Sequence, residues 1–241
     1  AGADLLLFNR DHDLHKQAFD EIAQWLAAGE IPQSRLDEAV LRILTTKERY
    51  GLLQPALKLA PQQVYLPETV ALSRQVAAQS ITLLRDQAGR LPLRDGERYL
   101  VVQVPGANGL GRALGLTYLD VAEQPSEDEI QWALDMARDG RTVIVATTDA
   151  NRNDAQSRLV QRLLEAGSPV IAIAMRNPYD LMAFPQVGTY LVSYGSNPPA
   201  IEALAAVLWG QATPQGKLPV EIPGLYRPGD GLTQFQSNAT E

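Results

Sequence analysis

Apolar residues in the second part of the chain form short continuous runs that alternate with helical patterns. The runs predict strands at Ile81–Leu84, Tyr99–Val104, Tyr118–Val121, Val143–Thr147, Val170–Met175 and Tyr190–Ser193. Between them, apolar residues at helical spacing predict helices near 127–139, 155–166 and 199–209, and a further helix near 68–79 precedes the first strand. Strands alternating with helices of this length indicate a parallel sheet with helices on both faces. The sequence therefore predicts an α/β fold, a doubly wound, mostly parallel α/β sandwich over residues 69–226.

The first fifty residues follow a different pattern. Ala3–Phe8 is an apolar run, typical of a strand that is covered on both faces in a parallel sheet. Two stretches at helical spacing follow, and the spacing of Ser34 and Asp37 predicts a capping box at the start of the second helix. We expect a strand and two helices here, as the last part of a fold whose other strands precede Ala1.

Two further segments lie outside these regions, one between them and one at the end of the sequence. Residues 51–68 contain Pro55, Pro61 and Pro67 with little periodicity, which predicts an inter-domain linker. Residues 227–241 are polar and rich in glycine at their start, which predicts a surface tail.

Composition excludes several classes of function. The net charge is −7 and lysine and arginine do not cluster, so nucleic acid is not an expected partner. The chain has no cysteine, which excludes disulfides, thiol nucleophiles and cysteine-bound metals. No apolar run approaches the roughly 20 residues that a membrane helix needs, so no membrane contact is expected. The compartment stays open between the cytoplasm and the cell envelope.

Ligands of open parallel sheets bind beyond the carboxyl ends of the strands, which selects four loops of this chain. The loop Pro105–Gly111 has its glycines in the order G-x-x-G-x-G, which differs from the G-x-G-x-x-G of dinucleotide sites and favours a tight crossover over nucleotide binding. Asp149 and Asp154 flank the second loop, and helix capping by Asp154 is the favoured role. In the third loop, Arg176 and Asn177 can bind a carboxylate or hydroxyl groups, or they can fix a turn or a neighbouring domain.

Metal binding has little support in the sequence. His12 and His15 are the only histidines, and their spacing could place both on one helix face. No third ligand is apparent, so no metal site and no cofactor are expected.

The order of several segments resembles glycoside hydrolase family 3, in its bacterial β-N-acetylhexosaminidase branch. The segments are Ala1–Phe8, Gly29-Glu30-Ile31-Pro32, Ser34–Leu44, Ala78–Arg85, Leu91-Pro92-Leu93, Arg176-Asn177-Pro178-Tyr179-Asp180 and Gly216-Lys217-Leu218-Pro219-Val220. The resemblance implies that residues 1–50 end a (β/α)8 catalytic barrel, that Ala3–Phe8 is its eighth strand and that residues 69–226 are the C-terminal α/β sandwich domain.

The resemblance also implies where the catalytic residues and the substrate contacts of the parent enzyme lie. The nucleophilic Asp and the His–Asp proton donor of this branch lie on earlier barrel loops, upstream of Ala1, so this chain is expected to carry no catalytic residue. Phe8, Asn9 and Arg10 lie at the carboxyl end of the implied eighth strand, where barrel active sites form. They could contact sugar, Phe8 as an apolar wall and Asn9 or Arg10 through hydroxyls, or they could merely begin a loop.

The sequence as a whole is interpreted as the C-terminal part of a retaining β-N-acetylglucosaminidase. Its expected partners are the missing barrel and a carbohydrate derived from chitin or peptidoglycan, with Phe8, Asn9, Arg10, Arg176 and Asn177 as candidate substrate contacts. The alternative is a non-catalytic carbohydrate-binding or interaction domain. A flavodoxin-like nucleotide module is disfavoured by the glycine order.

Overall fold

The computed structural model describes residues 2–8, 12–54, 66–87 and 89–235. The chain divides into two compact units, Ala1–Val64 and Tyr65–Glu241. Most of the predicted linker, residues 55–65, and the end of the predicted tail, residues 236–241, lie outside the described residues. Each unit is described separately below.

Helix α1 (His12–Ala27) and helix α2 (Gln33–Arg49) make up most of the first unit, as the periodicity predicts. The predicted capping box is wrong, because α2 begins at Gln33 after Pro32 and Ser34 therefore lies inside its first turn. Proline suits this entry because its fixed φ is compatible with a helix start and it lacks an N–H group that would go unpaired.

The predicted strand over Ala3–Phe8 is also wrong, because residues 2–8 form no strand. A strand needs a neighbour to take up its backbone hydrogen bonds, and none pairs with this segment among the described residues. Instead, Arg35 donates to the Ala3 carbonyl at 2.9 Å and to the Asp4 carboxylate at 2.7 Å. These contacts fix the segment on α2, while the side chain of Leu7 is 99% exposed. That this unit ends a barrel stays a prediction.

The second unit is built on a six-stranded sheet in the order β1-β6-β5-β4-β2-β3. Strands β2 to β6 are parallel, and β1 pairs with β6 in the antiparallel direction. The mostly parallel sheet confirms the predicted fold class, and all six predicted strands are present. Their bounds are β1 (Thr82–Asp86), β2 (Tyr99–Gln103), β3 (Tyr118–Asp120), β4 (Thr142–Thr147), β5 (Val170–Ala174) and β6 (Thr189–Val192).

Helices precede the sheet and connect its strands. The bounds are α3 (Pro67–Ser80), α4 (Leu110–Leu114), α5 (Glu127–Ala137), α6 (Asp154–Glu165) and α7 (Pro198–Leu208), with 3₁₀ turns at Pro105–Ala107 and Pro178–Met182. A capping box begins α5, since Ser126 and Glu129 each accept a backbone hydrogen bond from the other. Gly167 ends α6 with a φ of +75°, a conformation that costs glycine little because it has no Cβ.

Two apolar layers cover the sheet, one on each face. Every residue of β2, β5 and β6 is buried, which accounts for the continuous apolar runs in the sequence. The layers pack α5 and α6 on one face, through Ile130, Leu159 and Leu163, and α4 and α7 on the other, through Leu110 and Leu204. Burial of each such large side chain stabilises the fold by about 1.5–3 kcal/mol.

The segment after α7 returns along β1. The Gly216 amide donates to the Ile81 carbonyl at 2.9 Å, and the Leu232 amide donates to the Leu83 carbonyl at 2.7 Å. A Cβ added to Gly216 would lie 2.2 Å from the Ser80 carbonyl oxygen, so only glycine fits this approach. The glycine of the Gly216–Val220 segment is therefore required by packing, and the returning chain covers the free edge of β1.

Candidate functional site

The loops after β2, β4, β5 and β6 lie at one edge of the second unit. Because these strands are parallel, their carboxyl ends meet at the same edge of the sheet. This is the edge at which open α/β sheets bind ligands. Two groups of polar side chains lie there, one beyond β4 and β5 and one beyond β2 and β3.

Asp149 brings together the two side chains that were predicted to bind substrate in this unit. Arg176 Nη1 donates to Asp149 Oδ2 at 2.7 Å, and Asn177 Nδ2 donates to Asp149 Oδ1. The Asn177 side-chain oxygen also accepts the Tyr179 amide at 2.9 Å, which starts the 3₁₀ turn. We call Asp149, Arg176 and Asn177 the arginine cluster. Its internal bonds agree with the turn-forming role considered for Arg176 and Asn177.

The arginine cluster still presents a cation to solvent. The Arg176 side chain is 74% exposed, although one of its nitrogen atoms is bound by Asp149. Asp149 has a φ of +58°, in the left-handed region that aspartate tolerates better than most residues. Asp154 is not the cap of α6, contrary to prediction. Asn153 caps it by accepting the amides of Ala155 and Gln156, and Asp154 is the first helical residue.

Asp180 lies in the turn after β5 and is fully buried. Its carboxylate accepts a hydrogen bond from the Thr147 hydroxyl at 2.6 Å and one from the Asn151 amide at 3.4 Å. Burial raises the pKa of Asp180 to about 6, against the hydrogen bonds from Thr147 and Asn151, which lower it. Asp180 thus joins the turn after β5 to the end of β4 and to the loop that carries Asp149.

The second polar group lies at the ends of β2 and β3. Gln103, the last residue of β2, is buried, and its amide nitrogen donates to Asp120 Oδ1 at 2.6 Å. Its amide oxygen accepts the Gly111 amide at 3.0 Å. The sequence did carry a signal for this residue, because Gln103 is the one polar side chain in the run Tyr99–Val104. We did not predict a site there.

The other predicted contacts fall in the first unit. The Phe8 and His15 rings are in edge-to-face contact with centroids 5.0 Å apart, so part of the Phe8 ring is used within this unit. Asn9 and Arg10 lie outside the described residues. Within the described part of the chain, no group of three or more His, Cys, Asp or Glu side chains could hold a metal ion. The helices described there are all too short or too polar to cross a membrane.

Comparison with protein families gives a match over most of the second unit. The profile of the glycosyl hydrolase family 3 C-terminal domain matches residues 81–237. A β-N-acetylglucosaminidase/β-glucosidase from Cellulomonas fimi is 30% identical over 92% of this chain and 44% of its own length. A lysosomal β-glucosidase from Dictyostelium discoideum is 25% identical over 91% of this chain and 36% of its own. The chain therefore spans less than half the length of these relatives.

Solved structures give the same result. A glycoside hydrolase family 3 β-N-acetylglucosaminidase from Paenibacillus matches with a TM-score of 0.67 and 28% identity, over 89% of this chain and 44% of that one. A β-glucosidase from Listeria innocua matches with a TM-score of 0.58 at 20% identity, over 84% of this chain and 34% of that one, a likeness of fold alone.

Proposed function

This chain belongs to glycoside hydrolase family 3, whose C-terminal domain profile matches residues 81–237, and on that premise we propose that it is the C-terminal part of a retaining β-N-acetylglucosaminidase. The substrates proposed are N-acetylglucosaminides derived from chitin or peptidoglycan. The observation that carries the proposal is the 30% identity to the Cellulomonas fimi enzyme, which extends over 92% of the chain and so includes both units.

The first unit has the surface expected of a barrel segment. Its apolar side chains are largely exposed, including Leu5 at 74%, Leu7 at 99% and Phe19 at 73%. Within α2 only Ala39 is buried. Exposed apolar side chains in such number mark a contact surface, and the partner proposed is the remaining barrel of the same enzyme.

The reaction proposed for the whole enzyme needs two catalytic groups. In retaining hydrolysis one carboxylate attacks the anomeric carbon, and a general acid protonates the leaving oxygen. The two carboxylates beyond β4 and β5 are poorly suited to attack a sugar. Asp149 is bound by Arg176 and Asn177, and Asp180 is buried beneath the loops. As the resemblance to this family branch implies, both catalytic groups are proposed to lie in the barrel.

The role proposed for the second unit is to frame the sugar-binding cleft with Arg176 and Asn177. A guanidinium carries five N–H donors, and the bond to Asp149 uses only part of that capacity. The donors that remain can bind sugar hydroxyls, while Asp149 limits the movement of the side chain. Phe8, Asn9 and Arg10 are proposed as contacts contributed by the first unit.

The test replaces the matching C-terminal segment of the Cellulomonas fimi enzyme with this chain. We expect the chimera to hydrolyse an aryl N-acetyl-β-glucosaminide and the isolated 241-residue chain to show no turnover. Arg176→Ala is expected to lower kcat/KM of the chimera at least tenfold, the effect of losing one hydrogen bond to a charged group.

Arg138→Ala is the matched control. Arg138 is 73% exposed and pairs with Asp135 at 2.8 Å, much as Arg176 pairs with Asp149, but it follows α5, away from the carboxyl edge. This variant should leave kcat/KM unchanged. Turnover by the isolated chain that a point change in the chain abolishes would contradict the assignment of the catalytic groups to the barrel. Equal effects of the two arginine variants would contradict the role of Arg176.

A further inference from the structure

A cleft of about 310 Å³ opens beyond the ends of β2 and β3. None of its lining residues belongs to the arginine cluster, so the cleft is a separate feature of the carboxyl edge. Its volume lies at the lower end of the range found for small-molecule sites. The residues that line it are Gln103, Asn108, Gly109, Arg112, Tyr118 and Asp120.

Buried hydrogen bonds fix the carboxylate of this cleft. Gln103 is only 2% exposed and uses both ends of its amide, one on Asp120 Oδ1 and one on the Gly111 amide. Among the described residues, no hydrogen bond engages Asp120 Oδ2. A buried amide that holds an exposed carboxylate in one orientation preorganises the carboxylate for binding. The carboxylate then loses little conformational entropy when a ligand binds.

The aromatic wall of the cleft is equally constrained. A Cβ added to Gly111 would lie 2.4 Å from Tyr118 Cβ and 2.6 Å from its Cγ, so Tyr118 packs directly against the glycine backbone. The Tyr118 residue is nevertheless 40% exposed. Packing thus holds part of an aromatic side chain in place while part of it stays open to solvent.

The charges of the cleft favour a neutral ligand. Asp120 and Arg112 contribute one negative and one positive charge, and within the described residues no hydrogen bond or ion pair engages the side chain of Arg112 or Asn108. Asp120 disfavours an anion and Arg112 disfavours a cation. A suitable ligand donates a hydrogen bond to Asp120, accepts one from Arg112 and has an apolar face that packs on Tyr118. Sugar hydroxyls and the C–H face of a pyranose ring have these properties.

We propose that this cleft binds a neutral pyranose sugar, with hydroxyls donating to Asp120 and accepting from Arg112 and with the ring packed on Tyr118. The cleft is inferred from its own geometry, and only the choice of N-acetylglucosamine as the probe rests on the proposed function. The site needs no catalytic group and holds sugar on the second unit independently of turnover.

The test is a titration of the 241-residue chain with N-acetylglucosamine, followed through backbone amide chemical shifts. We expect shifts confined to Asn108–Arg112 and Tyr118–Asp120. Asp120→Asn and Tyr118→Ala should each weaken binding about tenfold or more, the effect of losing a hydrogen bond to a charged group or an aromatic contact. Tyr118→Phe keeps the ring and should bind within about threefold of the unaltered chain.

Asp95→Asn is the matched control. Asp95 is exposed in the turn that precedes β2, at the opposite end of that strand from Gln103, and its substitution should leave the affinity unchanged. The amide spectrum of each variant also reports whether it is folded. If Tyr118→Ala does not fold, Asp120→Asn decides the question, because asparagine at this strand end still has an oxygen that can accept from Gln103.

Three results would overturn the proposal. The first is an absence of shifts at about 10 mM sugar, a concentration well above the Kd of about 1 mM that we expect. The second is binding that Asp120→Asn leaves unchanged. The third is the same shifts when glycine or inorganic phosphate replaces the sugar. A chimera without glycosidase activity would contradict the proposed function but would not alter the outcome of this titration. The two proposals therefore fail separately.

Discussion

Asp180→Asn is expected to make the second unit less sensitive to pH between about 4 and 6. Asparagine has nearly the same shape as aspartate and carries no charge. Thr147 Oγ1 lies 3.4 Å from the Ile173 carbonyl, so its hydroxyl can donate there and accept from the new amide nitrogen. The substitution therefore removes the buried charge without leaving an unpaired group.

The magnitude follows from the pKa of Asp180, which burial raises from the ordinary 3.8 to about 6. Because the folded chain holds this proton more tightly than the unfolded chain, the free energy of unfolding decreases as pH rises from about 4 to about 6. The total decrease is about 3 kcal/mol, since one pKa unit is worth about 1.4 kcal/mol. Above pH 6 to 7 the carboxylate is ionised in both states and the loss is complete.

The assay compares urea unfolding of the two proteins at several pH values between 4 and 8. Hydrogen exchange of peptides from β4 and β5 restricts the measurement to the sheet that surrounds Asp180. The difference in unfolding free energy between Asp180→Asn and the unaltered chain should change by about 3 kcal/mol in favour of the variant as pH rises. Other titrating groups cancel in this difference.

The exposed Asp95→Asn variant should follow the unaltered chain at every pH. A difference between Asp180→Asn and the unaltered chain that stays constant from pH 4 to pH 8 would refute the reasoning, because the pKa of Asp180 would then be the same in the folded and the unfolded chain.

Two further predictions concern packing and capping. Gly216→Ala should destabilise the second unit by about 1–3 kcal/mol in urea unfolding, because its Cβ would lie 2.2 Å from the Ser80 carbonyl oxygen, whereas Gly188→Ala, with no atom within 4 Å of its added Cβ, should have little effect. Equal losses would contradict the packing argument. Ser126→Ala should cost about 1 kcal/mol in protection of the first-turn amides of α5, since it removes an N-cap, whereas Ser34→Ala should not weaken α2; matching losses at both serines would contradict the cap assignments.

Most of the sheet could be predicted from the sequence because its strands are buried on both faces. Runs such as Val170–Met175 have no polar position, and such a run has few alternatives between two helical patterns. Some helix ends also carry local signals, since Ser126 and Gly167 stand at positions that capping favours, whereas the caps predicted at Ser34 and Asp154 are wrong. Each of these signals lies within or directly beside the strand or helix whose position it predicts.

The order and direction of the strands could not be predicted in this way. β1 precedes β2 in the chain but pairs with β6 in the antiparallel direction. Periodicity records which residues are buried, and it does not record which strand lies beside which. The same limit explains the error over Ala3–Phe8, where an apolar run indicates burial only if a partner strand is available.

The candidate site was only partly predictable for a related reason. Arg176 and Asn177 were identified because they follow the carboxyl end of a predicted strand, where open parallel sheets bind ligands. The importance of Asp180 depends on its contact with Thr147, 33 residues earlier in the chain, and nothing in the local sequence specifies that contact. Gln103 carried a local signal, since it is a polar residue in an apolar strand, but the partner that gives it a role, Asp120, lies on the next strand.

The pairing of β1 with β6 delays the completion of the sheet while the chain is synthesised. Asp86 of β1 accepts a hydrogen bond from Thr189 of β6, 103 residues later. At about 5–20 residues per second, synthesis separates the two strands by about 5–20 s. Strands β2, β4 and β5 can pair in the order in which they leave the ribosome, whereas Leu83 and Leu84 must wait for β6. During that interval β1 lacks the strand with which it pairs, and Leu83 and Leu84 cannot yet take up their buried positions.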